Sequence, residues 1–371
     1  MTTPGVSSGK ASILFLSPEP PVAGSGGGGL RSVSLLEYLR SKYSVDVTGF
    51  SLRRHSKSIP ARAWRNLARL ARGVPPLFDR YSGYEGQIRK SIGDSKYAVA
   101  VVEHFWCASY APVLRTCCDR IVLDLHNIES ELALSYGKAA PWPSSWASVR
   151  FAEAYRRLER EWLPRFDTLL VASDDDRGRV NHPSVCVYPN ALREIPLPHE
   201  REEDCIVFSG NLEYHPNIEA VRWFRANVWP HVQGAEWRLV GRNAHAIERM
   251  IRGDSRIRTV GPVDDAISEL ARAKICVVPL LSGSGTRFKI LEAWAAARAV
   301  VSTSIGAEGL GARHGEHLLI ADDPISFASA INQLLVDAAL RERLGESGRA
   351  WYLKNFTWRV AWKRLEECAG L

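Results

Sequence analysis

Short apolar runs recur along the first half of the chain, at "ILFLS" (13–17), "VDVTGF" (45–50), "VAVVE" (99–103), "RIVLDL" (120–125), "TLLVAS" (168–173) and "VCVY" (185–188). Their length and β-branched content suit strands buried on both faces. Between them lie stretches with helical spacing of apolar residues, such as "LRSVSLLEYLRSKY" and "AEAYRRLEREWLPRF". Continuous apolar strands separated by helices predict a parallel sheet covered on both sides. A polar, proline-bearing stretch, "PNALREIPLPHEREED" (189–204), then reads as an interdomain linker. Beyond it the alternation restarts. "CIVFSG" (205–210), "WRLVG" (237–241), "ICVVPL" (275–280) and "AVVSTS" (299–304) are predicted strands, with helices such as "IEAVRWFRANVW" (218–229) between them. The pattern predicts two α/β domains in series, divided near residue 190, with no short-period repeat. The tail, "ESGRAWYLKNFTWRVAWKRLEECAG", reads as helical, aromatic and basic.

The length of 371 residues agrees with two domains rather than one core. At 46% hydrophobic and 24% charged residues the composition is that of a globular protein. No apolar run approaches the roughly 20 residues of a membrane helix. The start, "MTTPGVSSGK", lacks the basic and apolar regions of a secretory signal. Seven cysteines without a C-x-x-C pair predict a reducing, cytoplasmic setting, no disulfide framework and no zinc site. The net charge of +7 attracts anions without choosing among them. No nucleic-acid-binding signature accompanies it, so nucleic acid is not an expected partner. One segment concentrates the charge: "RRHSKSIPARAWRNLARLARG" (53–73) places Trp64, Leu67 and Leu70 at helical spacing among arginines. Such a helix can lie on an anionic membrane, here at the inner face, or simply pack on its own domain.

Open parallel sheets bind ligands at the carboxyl ends of their strands, and the chemistry-bearing motifs follow strands here. The densest is "PLLSGSGTRFKILEAWAAARAVVSTSIGAEGL" (279–310). A glycine-rich turn, Gly283-Ser284-Gly285-Thr286, leads into a predicted helix near Arg287, with Thr286 as its N-cap. The free N–H groups of a helix start form an anion site. Arg287 and Lys289 add two cations, one a bidentate fork and the other a point charge. Glu292 lies three residues past Lys289 on the same helix face and can accept hydrogen bonds from two ribose hydroxyls. The set suits a nucleotide diphosphate; the plainer alternative is a helix cap with a Lys–Glu surface pair.

"GSGTRFKILEAWA" followed by "VVSTSIGAEGL" resembles the donor-site segment of the GT-B glycosyltransferases of family 4. "FSGNLEYHPNIEAVRWF" (208–224) resembles the strand-turn-helix that opens their C-terminal domain, and "YPNAL" (188–192) their interdomain Pro-Asn-Gly motif. "LDLHNIES" (123–130) is similar to the Asp-x-His-Asn-x-Glu stretch of a bacterial subgroup that makes surface polysaccharides. The resemblance implies two Rossmann-like domains facing across a cleft. Residues 1–190 would form the acceptor side and 191–349 the donor domain, with a last helix in 350–371 crossing back to the first. It implies retaining transfer of a sugar from a nucleotide-sugar to a glycan, lipid-linked or small-molecule acceptor, with no cofactor and no metal. His126, Arg287 and Lys289 would then be the catalytic group. Gly28, Gly29, Asn211, Ser284, Gly285, Thr286, Glu292 and Glu308 would bind donor, and Arg31, Glu103, His104 and Asn127 would face the acceptor. Four places depart from the family pattern: Ser284 stands where a glutamate is common, Asn211 where an arginine is, Ala191 where a glycine is, and the position of the usual lysine falls near His215-Pro216.

Rival readings remain at this stage. Gly24-x-Gly26-x-x-Gly29 follows a strand and matches the letters of a dinucleotide fingerprint, and Arg53-Arg54 follow the next strand. The intervening "PEPPVA" (18–23) opposes an NAD(P)-dependent oxidoreductase, because that fingerprint wants its first glycine directly after the strand. Gly28-Gly29-Leu30-Arg31 then reads as a loop that enters a helix at the cleft. A nucleotide-sugar epimerase and a silent sugar-nucleotide-binding protein share the fold expected here.

Overall fold

The structure, a computed structural model, describes residues 11–18, 21, 27–54, 56, 58–139, 142–263, 265–283 and 287–371. Six strands form the first sheet: β1 (Ser12–Leu16), β2 (Ser44–Thr48), β3 (Tyr97–Glu103), β4 (Cys118–Asp124), β5 (Thr168–Val171) and β6 (Val185–Val187). They lie in the order β2-β1-β3-β4-β5-β6, all parallel. The second sheet holds β7 (Glu203–Ser209), β8 (Glu236–Val240), β9 (Ile257–Val260), β10 (Ala273–Val278), β11 (Ala299–Ser302) and β12 (Leu319–Ile320). Their order is β12-β11-β10-β7-β8-β9, again all parallel. The architecture is the two-domain, Rossmann-like α/β fold that the apolar periodicity predicts.

Central strands are buried along most of their length, which is why they read as unbroken apolar runs. One face of the first sheet packs Phe105, Tyr110 and Tyr155; the other packs Leu35 and Leu39 of the Gly27–Lys42 helix. The second domain has one continuous core around Trp229, Trp237 and Trp294.

The chain crosses between the domains twice, and the crossings pair. Leu192 N–H donates to the Phe356 carbonyl (2.9 Å), and Trp358 N–H to the Leu192 carbonyl (3.0 Å). The Ala338–Asn355 helix stays with the second domain through Leu344 and Tyr352. The Trp358–Ala369 helix returns to the first, burying Trp358, Ala361 and Leu365 beside Leu35 and Leu39. The returning segment therefore begins near Trp358 rather than at residue 350.

One expectation is overturned here. Cys186 of β6 is disulfide-bonded to Cys368 of the last helix, with Cα atoms 5.5 Å apart. Local spacing could not reveal the pair, because 182 residues separate the two cysteines and only the return crossing brings them together. Cys107, Cys117, Cys118, Cys205 and Cys276 are free and buried.

Candidate active site

Two groups of polar side chains sit at the carboxyl ends of the two sheets. The first is built by β3 and β4, whose register places Glu103 opposite Asp124. His104 follows β3 directly, and His126 lies two residues past the end of β4. The imidazole rings lie 3.8 Å apart, and His104 stacks on Trp106 at 4.3 Å. His104 holds φ at +66°, a left-handed conformation uncommon for a side-chain-bearing residue and frequent at functional sites. His126 Nε2 is 3.5 Å from both Glu103 and Asp124 carboxylate oxygens. Gly28, at the start of the Gly27–Lys42 helix, lies beside the same imidazole; a Cβ there would come 3.5 Å from His126 Nδ1. Gly29 occupies the same first turn, and Asn127 is half-buried next to His126.

Burial dominates the electrostatics of this group. It holds His104 down to about 3 and His126 down to about 4, so both are neutral imidazoles at neutral pH. It pushes Glu103 up to about 7, aided by the neighbouring Asp124. Burial alone would raise Asp124 too, but the Arg31 guanidinium more than offsets it and keeps Asp124 ionised.

Arg31 corrects an expectation. The resemblance places it on the acceptor side, yet it is only 1% exposed. Its Nε donates to Asp124 at 2.9 and 3.0 Å, and its Nη1 reaches the Tyr188 carbonyl and Asn190. The guanidinium also lies 4.5 Å above the Tyr188 ring. It is an internal strut that ties the first helix to β4 and to the interdomain crossing, with no free face for an acceptor. Ser32, one residue on, donates from Oγ to Glu103.

The second group gathers where β7 and β10 end. β7 closes on Gly210, whose φ is +140°. A Cβ at that position would collide with Lys289 Nζ, so the glycine lets the ammonium group lie against the turn. Lys289 also sits 5.3 Å from the centre of the Phe208 ring. Burial lowers Lys289 to about 8, against the pull of Glu292. Burial raises Glu292 while Lys289 opposes it, and Ser209 Oγ lies 3.5 Å from its carboxylate. Asn211 lies exposed in this turn. Its Oδ1 accepts from Glu213 N–H (3.1 Å) and Asn243 Nδ2 (2.9 Å).

Arg287 is the N-cap of the Phe288–Ala295 helix, in the place expected for Thr286. Its guanidinium packs on Gly283, where any Cβ would overlap it. Ser284, Gly285 and Thr286 lie outside the described residues. Glu308 points across the cleft and pairs with Arg179 of the Asp174–Arg179 helix.

The domains meet along this line. Tyr136 and Tyr214 join hydroxyl to hydroxyl at 2.7 Å, and Gly283 N–H donates to Ser135 Oγ at 3.0 Å. Beside these contacts is a cavity of about 190 Å³ lined by Ser135, Lys138, Arg179, Gly283 and Glu308. A second, of about 440 Å³, opens on the first domain between Ser130, Arg156, Glu159, Arg160 and Arg179.

Sequence reasoning overlooked several members. Arg179 and Ser32 carry no local signal, because each acts on a partner far along the chain. Asp124 did carry one, a carboxylate ending an otherwise apolar strand. Glu129 is buried and pushed up to about 8 by that burial and by Glu159. The metal expectation also meets a new fact: Glu103, His104 and His126 each offer a donor atom within 4.8 Å of the others. Adjacent strands assemble this trio, so no C-x-x-C or His-x-x-x-His spacing could announce it.

Residues 203–337 match the family described as glycosyl transferases group 1. A Klebsiella pneumoniae protein, described as an uncharacterized 44.6 kDa protein in the cps region, is 30% identical over 201 residues, covering 48% of this chain and 50% of its own. The lipopolysaccharide core biosynthesis glycosyltransferase LpsE of Rhizobium meliloti is 33% identical over 147 residues, covering 39% and 42%. The chain thus spans half or less of the length of these relatives. In structure it is similar to the sucrose-phosphate synthase of Thermosynechococcus elongatus, with a TM-score of 0.75 at 17% identity over 97% of this chain and 98% of the other. Anabaena HepE in complex with UDP gives 0.66 at 14% identity over 97% and 99%. These likenesses establish the GT-B fold across both domains.

Proposed function

We propose that this chain, a GT-B protein whose residues 203–337 form a group 1 glycosyltransferase domain, transfers a sugar from a nucleotide-sugar to an acceptor hydroxyl with retention at the anomeric carbon. The product would be a surface polysaccharide or glycoconjugate. The observation that carries this reading is the convergence of Lys289, Glu292 and the Gly210 turn at the carboxyl ends of β7 and β10. A cation held against bare backbone suits a diphosphate, and a carboxylate three residues on suits ribose hydroxyls. LpsE, named for lipopolysaccharide core biosynthesis, and HepE, solved with UDP-glucose, support the substrate class.

In this reading the bond between the anomeric carbon and the diphosphate oxygen breaks as negative charge grows on the leaving group. Lys289 and Arg287 stabilise that charge. The acceptor oxygen attacks from the face the diphosphate leaves, and its proton passes to a leaving phosphate oxygen. Neutral His126, with Gly28 beside it, lies against the donor sugar. No side-chain nucleophile and no metal takes part.

Four measurements test it. Lys289→Ala should lower turnover by about two orders of magnitude or more, the usual cost of removing one charge-stabilising donor; near-normal turnover in a folded variant removes Lys289 from the site. Because Lys289 loses its proton near pH 8, UDP affinity should weaken as pH rises through that value. Transfer should survive a chelator; its abolition, restored by a divalent ion, would instead assign the Glu103–His104–His126 trio to metal chemistry. NMR of the product anomer reads retention directly.

A further inference from the structure

The basic segment forms the Ile59–Arg72 helix, and this helix is mounted the wrong way round for a soluble domain. Ile59, Ala63 and Leu67 recur every four residues, with Trp64 alongside. Arg62, Arg65, Arg69 and Arg72 follow the opposite stripe at intervals of three, four and three. A surface helix normally turns its apolar stripe to the core. Here no residue of the helix is buried. Ile59 is 75% exposed, Trp64 72% and Leu67 59%. The polar side holds it down instead: Arg69 and Arg72 both pair with Asp79, at 2.8 and 2.9 Å. Arg157 of the Ser144–Trp162 helix donates to the Gly73 carbonyl (2.8 Å) that ends it. That second helix packs against the first; Trp142, two residues before it, is 83% exposed, and Trp146 in its first turn is 54% exposed.

Charge identifies the partner. Between Asp46 and Asp79 the chain carries Arg53, Arg54, Lys57, Arg62, Arg65, Arg69 and Arg72, and no acidic residue. We infer that the outward face of the Ile59–Arg72 helix docks on an anionic lipid bilayer. Ile59, Trp64 and Leu67 enter the headgroup and acyl boundary, and the flanking arginines remain at the level of the phosphates. Tryptophan and leucine on one side with arginine on the other is the composition of an interfacial helix, and long basic side chains reach upward from such a position. An uncharged apolar partner surface would not call for the unbroken basic run around the helix. The inference stands apart from the transferase reading, since binding needs neither donor nor turnover.

The test is co-sedimentation of the full chain with vesicles of phosphatidylcholine alone, or with about 30% phosphatidylglycerol, at low salt. The protein should pellet only with the anionic vesicles and be released by added salt. Trp64→Glu with Leu67→Glu should lower partition by about tenfold or more, the direction expected for charge placed in the acyl boundary. Its melting temperature should not move, because both substituted side chains are exposed. Arg54→Gln with Arg62→Gln should cost roughly fivefold per charge. Equal binding to both vesicles, no binding to either, or full binding by the Glu variant would each overturn the inference. A dimer in solution that the Glu variant breaks, without vesicle binding, would make the face a contact between two copies and overturn it as well.

Discussion

A carboxyl group and two imidazoles packed side by side make the Glu103, His104 and His126 group sensitive to pH. Their shifts act in opposite directions. The unfolded imidazoles take up protons near 6.5, whereas the folded ones wait until about 3 for His104 and about 4 for His126. Between those values the unfolded chain binds more protons, so the stability these residues give is present above pH 6.5 and is lost on acidification. Glu103 does the reverse: folded, it keeps its proton up to about 7, and unfolded it gives it up near 4.5. Its contribution is therefore present below 4.5 and fades as pH rises to 7. Two imidazoles outweigh one carboxyl, so the melting temperature should fall from pH 6.5 to 4.5. Glu103→Gln should steepen that fall and His104→Gln should flatten it. Parallel curves for wild type and both variants would show that the trio is not linked to folding.

At the level of strands and turns, the donor-side geometry depends on two glycines facing each other. Gly241 ends β8 with φ of +149°, and a Cβ on it would overlap the Gly210 carbonyl oxygen at the end of β7. The neighbouring ladder runs on past both, with Gly210 N–H on the Val240 carbonyl and Gly241 N–H on the Val260 carbonyl, each 2.9 Å. Gly241→Ala must therefore push β7 and β8 apart where Lys289 lies. The left-handed backbone alone costs about 1–3 kcal/mol. Calorimetry should show a melting temperature lower by several degrees, and UDP should bind more weakly; unchanged values for both would mean the turn tolerates the shift. The same scale decides what the sequence could disclose. Ten of the twelve strands are legible, because a buried parallel strand is a continuous apolar run. β9 is an edge strand with two exposed positions and β12 has only two residues, so neither stands out. Lys289 and Glu292 are legible because one helix turn sets their spacing. Arg31–Asp124, Ser32–Glu103 and Arg179–Glu308 are not, since 93, 71 and 129 residues separate the partners and only the crossover order of the sheet joins them.

Across the whole molecule, the two domains are joined by permanent and by breakable links. The paired crossings at Leu192 and Thr357, the buried last helix and the Cys186–Cys368 bond fix the hinge side. The cleft side is held by polar contacts: Tyr136 to Tyr214, Ser135 to Gly283, Arg179 to Glu308, and Gly309 N–H to Asp175 at 3.1 Å. A part-exposed ion pair is worth no more than about 1 kcal/mol, and small polar interfaces between domains leave relative motion as the default. Glu308 is therefore contested. The resemblance assigns it to the donor sugar, yet with the domains together its carboxylate is bound by Arg179. Donor entry must then compete with Arg179, or the cleft must open first. Arg179→Ala with Asp175→Ala removes two of these contacts and should shift the ligand-free protein toward open forms, raising its radius of gyration in solution scattering. A saturating nucleotide-sugar should bring the value back, because a ligand that touches both domains favours the closed form by its differential affinity. A radius unchanged by the two substitutions would show that the hinge side alone sets the domain angle, and Glu308 would then have to meet its sugar without release from a latch.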